Sequence, residues 1–209
     1  HIVGLLAFAF AHDCFEWPVW QVVRDIIVPA TRDNNRCRYG DLPEFHDDTK
    51  NNTSSEQGTK LFGKATVFMS HCWAASFGDL VGAACHGART DRYVWIDIFA
   101  VRQWPGNVAD LNFRGVIQRC KAMIVSVSPI ESLKNNGNTM NTDERAAFLS
   151  SKQGMAAKKI LAFFRLWCVV EIASAVHNNK SIVVKGGTFI QIPKSPKERT
   201  HSYTYDISN

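Results

Sequence analysis

The hydrophobic positions of this chain change period near residue 60. Before it, apolar residues recur at helical spacing, in Ile2–Ala11 and again in Val19–Ile27, which predicts helices over residues 1–31. Trp17-Pro18 marks a break between them, and Pro29 is expected to stop the second. Residues 32–60 are polar and read as a connecting loop. After that, short apolar runs rich in strand formers alternate with helical stretches. Strands are expected at Ala65–Ser70, Tyr93–Phe99, Ala122–Val127 and Ser181–Val184, with a fifth at Phe189–Ile192. Helices are expected at Phe77–Ala88, Val108–Arg119 and from about Glu144 to His177, the last in two pieces with a break near Gly154. Residues 131–143 read as an Asn-rich loop, Gly186-Gly187 as the turn closing the fourth strand, and the tail from Pro193 as loose.

Strands alternating with helices imply βαβ crossovers and a parallel sheet, and wholly apolar strands imply cover on both faces. The expected architecture is therefore α/β, a doubly wound parallel sheet of about five strands. It divides into an N-terminal helical extension with its polar loop (1–60), the α/β domain (61–193) and a flexible tail (194–209). Ligands of such sheets bind beyond the carboxyl ends of the strands. Ser70-His71-Cys72-Trp73 follows the first expected strand, Asp97 lies on the second, and polar and aromatic residues converge on one rim.

Composition narrows the function classes. With 45% hydrophobic and 21% charged residues, the chain can bury a real core. Its net charge of +5 favours an anionic ligand such as a dinucleotide, but no dense Lys/Arg stripe argues for nucleic acid. Ile2–Ala11 is about half the length of a membrane span and reads as a buried helix, so no membrane partner is expected. The six cysteines form no C-x-x-C pair and read as reduced thiols of a cytoplasmic protein. The histidines and cysteines lack metal-ligand spacing, and there is no Gly-rich phosphate loop.

Glu171 stands out as the one formal charge between Arg165 and Lys180. On a helix Trp167 and Ser174 share its face, so its carboxyl is expected to be partly desolvated and its pKa raised. Such a group is either a structural acid paired with a base or a functional carboxylate. Ser70, His71, Cys72 and Trp73 are candidate ligand contacts, with Trp73 either stacking on a ring or filling the core. A His71–Cys72 nucleophile pair is disfavoured, because neighbours on a strand point to opposite faces. Asp97 either bonds a sugar hydroxyl or caps the turn after it.

The order of these motifs resembles that of TIR domains. Phe68-Met69-Ser70, the Asp97 strand, Arg102-Gln103-Trp104-Pro105-Gly106 and Trp167-Cys168-x-x-Glu171 follow one another as they do there. Ser70-His71-Cys72-Trp73, Trp95-Ile96-Asp97 with Gln103, and Arg165-x-Trp167-x-x-x-Glu171 likewise resemble the fungal HET pattern, which shares that fold. The likeness covers roughly residues 63–187; His71-Cys72-Trp73 and the long segment 131–163 depart from a TIR domain. It implies a flavodoxin-like, TIR-like sheet and makes Glu171 the carboxylate of an NAD glycohydrolase. NAD or a related dinucleotide is then a substrate, and no bound cofactor is needed. By the same likeness Phe77, Phe99, Gln103, Trp104, Trp167 and Cys168 join the candidate dinucleotide contacts. TIR-like enzymes are switched on by self-association, which implies a homo-oligomer and signalling or defence partners with related domains. The other function class is a TIR-like or HET-like adaptor that oligomerises and catalyses nothing. A receiver or nucleotide-binding domain would want an acidic cluster or a phosphate loop, and neither is present.

Overall fold

The computed structural model describes residues 1–46, 61–129, 141–192 and 202–207. The expected loops at 47–60 and 130–140, and the tail at 193–201 and 208–209, lie outside the described residues. The architecture is α/β. Four strands, β1 (Val67–Ser70), β2 (Val94–Trp95), β3 (Ala122–Val127) and β4 (Ser181–Ile192), form an all-parallel sheet in the order β2-β1-β3-β4. A fifth strand, β5 (Ser202–Ile207), adds to the far half of β4 and is antiparallel to it. The expectation of a parallel sheet throughout is corrected at that strand.

Side-chain alternation explains why both faces are covered. Val67, Met69 and Ile124 point into one apolar layer; Phe68, Met123 and Val125 point into the other. The first layer holds α1 (Ile2–Ala11), the helix over residues 19–32 and α4 (Phe77–Cys85). The second holds α6 (Phe113–Arg119) and, beyond two further helices, α9 (Leu166–His177).

The N-terminal helices share the core of the sheet. Leu5, Ala9, Val19 and Val22 pack in one cluster with Met69, Phe77 and Leu80. The strap before Pro18 is stitched to the start of α4: Phe77 N–H donates to Trp17 O at 2.8 Å and Gly78 N–H to Phe15 O at 2.8 Å. A Cβ on Gly78 would meet that same Phe15 oxygen at 2.7 Å, so the close approach requires glycine. Residues 19–32 form one helical run, as α2 (Val19–Val22), a π turn (Val23–Ile27) and α3 (Val28–Arg32). Pro29 does not stop it. The π turn shifts the hydrogen-bond register, so the residue without an N–H falls in the first turn of α3, where no helical donor is needed. Within the expected polar loop, Tyr39–Asp41 and Pro43–Phe45 make two 3-10 turns that bury Leu42.

Other boundaries also move. The second strand stops at Trp95, and α5 (Asp97–Ala100) replaces its expected end, because the Asp97 carboxylate accepts the Ile98 N–H at 2.7 Å and turns the chain. α4 ends at Cys85, where Lys185 Nζ donates to Ala83 O at 2.9 Å and caps its last turn. The helix expected at Val108–Arg119 is a 3-10 turn (Val108–Asp110) followed by α6, which Asn112 caps by accepting from Gly115 N–H. The stretch before His177 is three helices, α7 (Thr142–Ser150), α8 (Lys152–Ile160) and α9. The break falls at Ser151, whose hydroxyl caps α8 by accepting from Gly154 N–H, and not at Gly154 itself. Gly186-Gly187 is no turn: β4 runs straight through it and changes partner there from β3 to β5. The tail is therefore strand over Ser202–Ile207. Among the described residues, no helix is long and apolar enough to cross a membrane.

Candidate active site

The site begins with strand parity. Ser70 shares the face of Phe68, so it points toward the α9 layer. On α9, Cys168, Glu171 and Ala175 recur at helical spacing on the buried side. The two elements meet at Ser70 Oγ, which donates to Glu171 Oε2 at 2.6 Å. The Glu171 residue is only 8% exposed. Burial raises its pKa to about 8; the Ser70 hydroxyl works against that rise, and the Asp97 carboxylate adds to it. Near neutral pH the free carboxyl therefore holds its proton.

Above Glu171 opens a cavity of about 320 Å³, lined among others by Met69, His71, Trp73, Asp97, Gln103, Arg165, Trp167 and Cys168. It lies beyond the carboxyl ends of β1 and β2, where the chain has turned out of the sheet. Trp73 Nε1 donates to Asp97 Oδ2 at 2.8 Å, so Trp73 is both core packing and cavity wall. Asp97 is the first residue of α5 and accepts the Ile98 N–H without being its N-cap, and its side chain faces the site. His71 Nε2 lies 3.5 Å from Asp97 Oδ1, yet it has no hydrogen-bond partner. Burial lowers the His71 pKa against the opposing pull of Asp97, so the ring is neutral and the pair is no salt bridge. An unpartnered ring nitrogen thus faces the cavity.

The outer wall is held from behind. Gln103 Nε2 donates to Val101 O at 2.9 Å and to Asp97 O at 3.2 Å. Asn107 Nδ2 donates to Arg102 O at 2.9 Å. Asp110 accepts from both Arg38 and Arg102. Burial works to raise the Asp110 pKa, but those two guanidiniums bring it down to about 2. On the α9 side the Trp167 ring packs edge-on against Phe113 at 5.4 Å between centroids. Trp167 is 52% exposed and Arg165 is exposed beside it.

Several candidate contacts lie elsewhere. Cys72 points away from His71, and its Sγ donates to Lys159 O at 3.0 Å. Phe77 is fully buried in the core at the start of α4. Phe99 lines a different cavity on the other side of α5. Trp104 Nε1 donates to Thr31 Oγ1 at 3.0 Å, and the Arg36 guanidinium lies over its ring. Cys168 does line the site, but burial pushes its thiol up to about 11 and its Sγ donates to His71 O at 3.2 Å. It is an unreactive wall. Arg165, Asn107 and Phe113 line the cavity without having been singled out as contacts. Arg165 carried a signal, being the last cation before the helix of Glu171. Among the described residues no group of three His, Cys, Asp or Glu is arranged to hold a metal ion.

The chain matches no protein-family model, no curated protein and no solved structure.

Proposed function

We propose that this protein is a TIR-like NAD glycohydrolase that cleaves the nicotinamide–ribose bond, with Glu171 as its catalytic carboxylate. The observation that carries this reading is the buried Glu171 carboxyl facing a cavity walled by Trp73 and Trp167, with Arg165 beside it. The order β2-β1-β3-β4 supports it, being that of flavodoxin-like doubly wound sheets, whose ligands sit where this cavity lies.

The chemistry asks for one carboxylate. The bond to C1′ breaks with its electron pair going to the nicotinamide nitrogen, which thereby loses its positive charge. No proton donor is needed for that leaving group. Positive charge then develops on the ribosyl ring, as in glycoside hydrolysis, and Glu171 in its ionised form, which the bound nicotinamide cation favours over the acid present in the free site, lowers the barrier. Water adds to C1′ and loses a proton, giving ADP-ribose. In this reading Trp73 and Trp167 flank the nicotinamide ring, and Arg165 at the rim meets the pyrophosphate. The cavity takes the nicotinamide riboside end, leaving the adenosine half outside. The test is nicotinamide release from NAD by wild type and Glu171→Ala at high protein concentration. Release by wild type alone supports the reading. Equal release by both, or none by a folded and self-associated wild type, overturns it.

One observation favours the adaptor as a second reading. α9 carries an exposed apolar row, with Leu166 78% and Val176 62% exposed, and Val169 and Val170 exposed as well. A patch of this kind marks an interaction surface. In the enzyme reading the same row serves self-association. The NAD assay separates the two.

A further inference from the structure

A second cavity, of about 670 Å³, lies on the other side of α5, between α1, β2 and the turns at 39–46. Its volume is well inside the range of small-molecule sites and more than four times that of an engineered cavity of about 150 Å³ that binds one benzene. Leu5 and Ile96 form buried parts of the lining, and half-buried rings, including Phe8, Tyr39, Phe62 and Phe99, form its walls.

The walls pack on one another and on bare backbone. Phe8 packs edge-on against both Tyr39 and Phe99, at 5.5 and 5.1 Å between centroids. A Cβ on Gly40 would meet the Phe62 ring at 2.9 Å, and one on Gly63 would meet Tyr93 at 2.8 Å. Those rings therefore lie directly on bare backbone, at positions where a side chain would displace them.

Residues 47–60 join His46 to Leu61, two residues that line the cavity, and not one of the fourteen carries a hydrophobic side chain. Arg38, Asp41 and His46 of the lining are engaged within the protein, while one buried ring nitrogen, His1 Nδ1, has no hydrogen-bond partner among the described residues. Arg38 is paired with Asp110 and lies 3.8 Å from Asp41, and His46 Nε2–H donates to Gly40 O at 3.0 Å.

We propose that this cavity is a binding site for an uncharged, ring-containing, largely hydrocarbon small molecule, separate from the Glu171 site. The two sites share α5: Asp97 faces one, and Phe99 and Ala100 face the other. The proposal does not depend on NAD cleavage.

Nile red, a neutral polycyclic dye that brightens in apolar surroundings, is the probe. Ala7 and Ala11 line the cavity from exposed positions on α1, so tryptophans there fill the opening without disturbing the core. Saturable binding of one dye per wild-type chain is expected, weakened at least about tenfold in Ala7→Trp/Ala11→Trp. Thermal unfolding of the double variant should match wild type. Leu166→Glu, on the apolar row of α9, should bind the dye as wild type does. Absent binding, or binding that the double variant retains and Leu166→Glu loses, overturns the proposal. So does a double variant that binds the dye normally but changes oligomeric state, which would make the cavity a seat for a second copy of the chain.

Discussion

Ser70 Oγ and Glu171 Oε2, 101 residues apart in sequence, are joined by a hydrogen bond of 2.6 Å. The bond is the one contact that favours the ionised form of an acid which burial otherwise keeps protonated. Ser70→Ala should therefore raise the Glu171 pKa further above about 8. Carbon-13 NMR of the side-chain carboxyl reads this directly. In the enzyme reading, the acid limb of kcat/KM for NAD should move to higher pH by the same amount. A carboxyl that titrates unchanged in Ser70→Ala would show that the hydroxyl does not bear on its ionisation.

Asp97 pushes on two neighbours in ways that can be told apart. Its negative charge raises the Glu171 pKa after burial has done most of the lifting, and it opposes the burial that lowers His71. Asp97→Asn keeps an oxygen that can accept from Trp73 Nε1 and removes the charge. Both pKa values should fall: Glu171 ionises at lower pH, and His71 resists protonation further. Proton NMR of the His71 ring and carbon-13 NMR of Glu171 in the same sample test the pair. Movement of the two in opposite directions would contradict a shared electrostatic origin.

Glu171 also makes stability depend on pH. Its folded pKa of about 8 exceeds the unfolded value of 4.5, so between them the folded state holds a proton that the unfolded state has released. Stability should then fall as pH rises through that window, by roughly 1.4 kcal/mol per unit at most. Glu171→Gln retains an acceptor for Ser70 and has no charge to desolvate. It should match wild type near pH 4.5 and exceed it by a few kcal/mol at pH 8. Urea unfolding at the two pH values measures the difference, and equal stabilities at pH 8 would argue that water already reaches the carboxyl.

The parts of this arrangement that were legible in the sequence are those set by local pattern. Apolar runs located β1 and β3, and the lone charge in Leu166–His177 located a desolvated acid. Less legible was whatever depends on a distant partner. Nothing near Phe77 says that it fills the core while Met69, eight residues earlier, reaches a cavity. The end of β2 was lost because one side chain, Asp97, captures its own following amide and overrides a strand-forming composition. Gly186-Gly187 looks like a turn until β5, some 20 residues later, provides the second pairing that keeps β4 extended. Pro29 stops an ordinary helix but not one whose register a π turn has already shifted.

The stitching of the N-terminal strap to α4 can be tested at Gly78. A methyl group there would meet Phe15 O at 2.7 Å, the same oxygen that accepts the Gly78 N–H. Gly78→Ala must therefore push the strap away or break that bond. A loss of about 1–3 kcal/mol is expected, with a lower Tm and earlier amide exchange through Cys14–Val19 than elsewhere. Alanine ordinarily favours a helix over glycine, so a rise in Tm would mean the strap is not held here.

The apolar row on α9 makes a prediction about assembly. Leu166 and Val176 are 78% and 62% exposed, and Val183 and Val184 of β4 are exposed as well. Over Ser181–Gly186, β4 has β3 on one side and, among the described residues, no strand on the other. Exposed apolar side chains and an open strand edge are both features that soluble proteins tend to cover. The expected cover is a second copy of the chain. Light scattering should then show a mass that grows with protein concentration. Leu166→Glu/Val176→Glu should hold it at one chain, because each copy would bring charges into an apolar contact. Both positions are well exposed, so the double variant should keep its Tm within the small range of ordinary surface changes. In the enzyme reading it should also abolish any rise of specific activity with protein concentration. A wild type that remains a single chain at the highest attainable concentration would exclude self-association through this face.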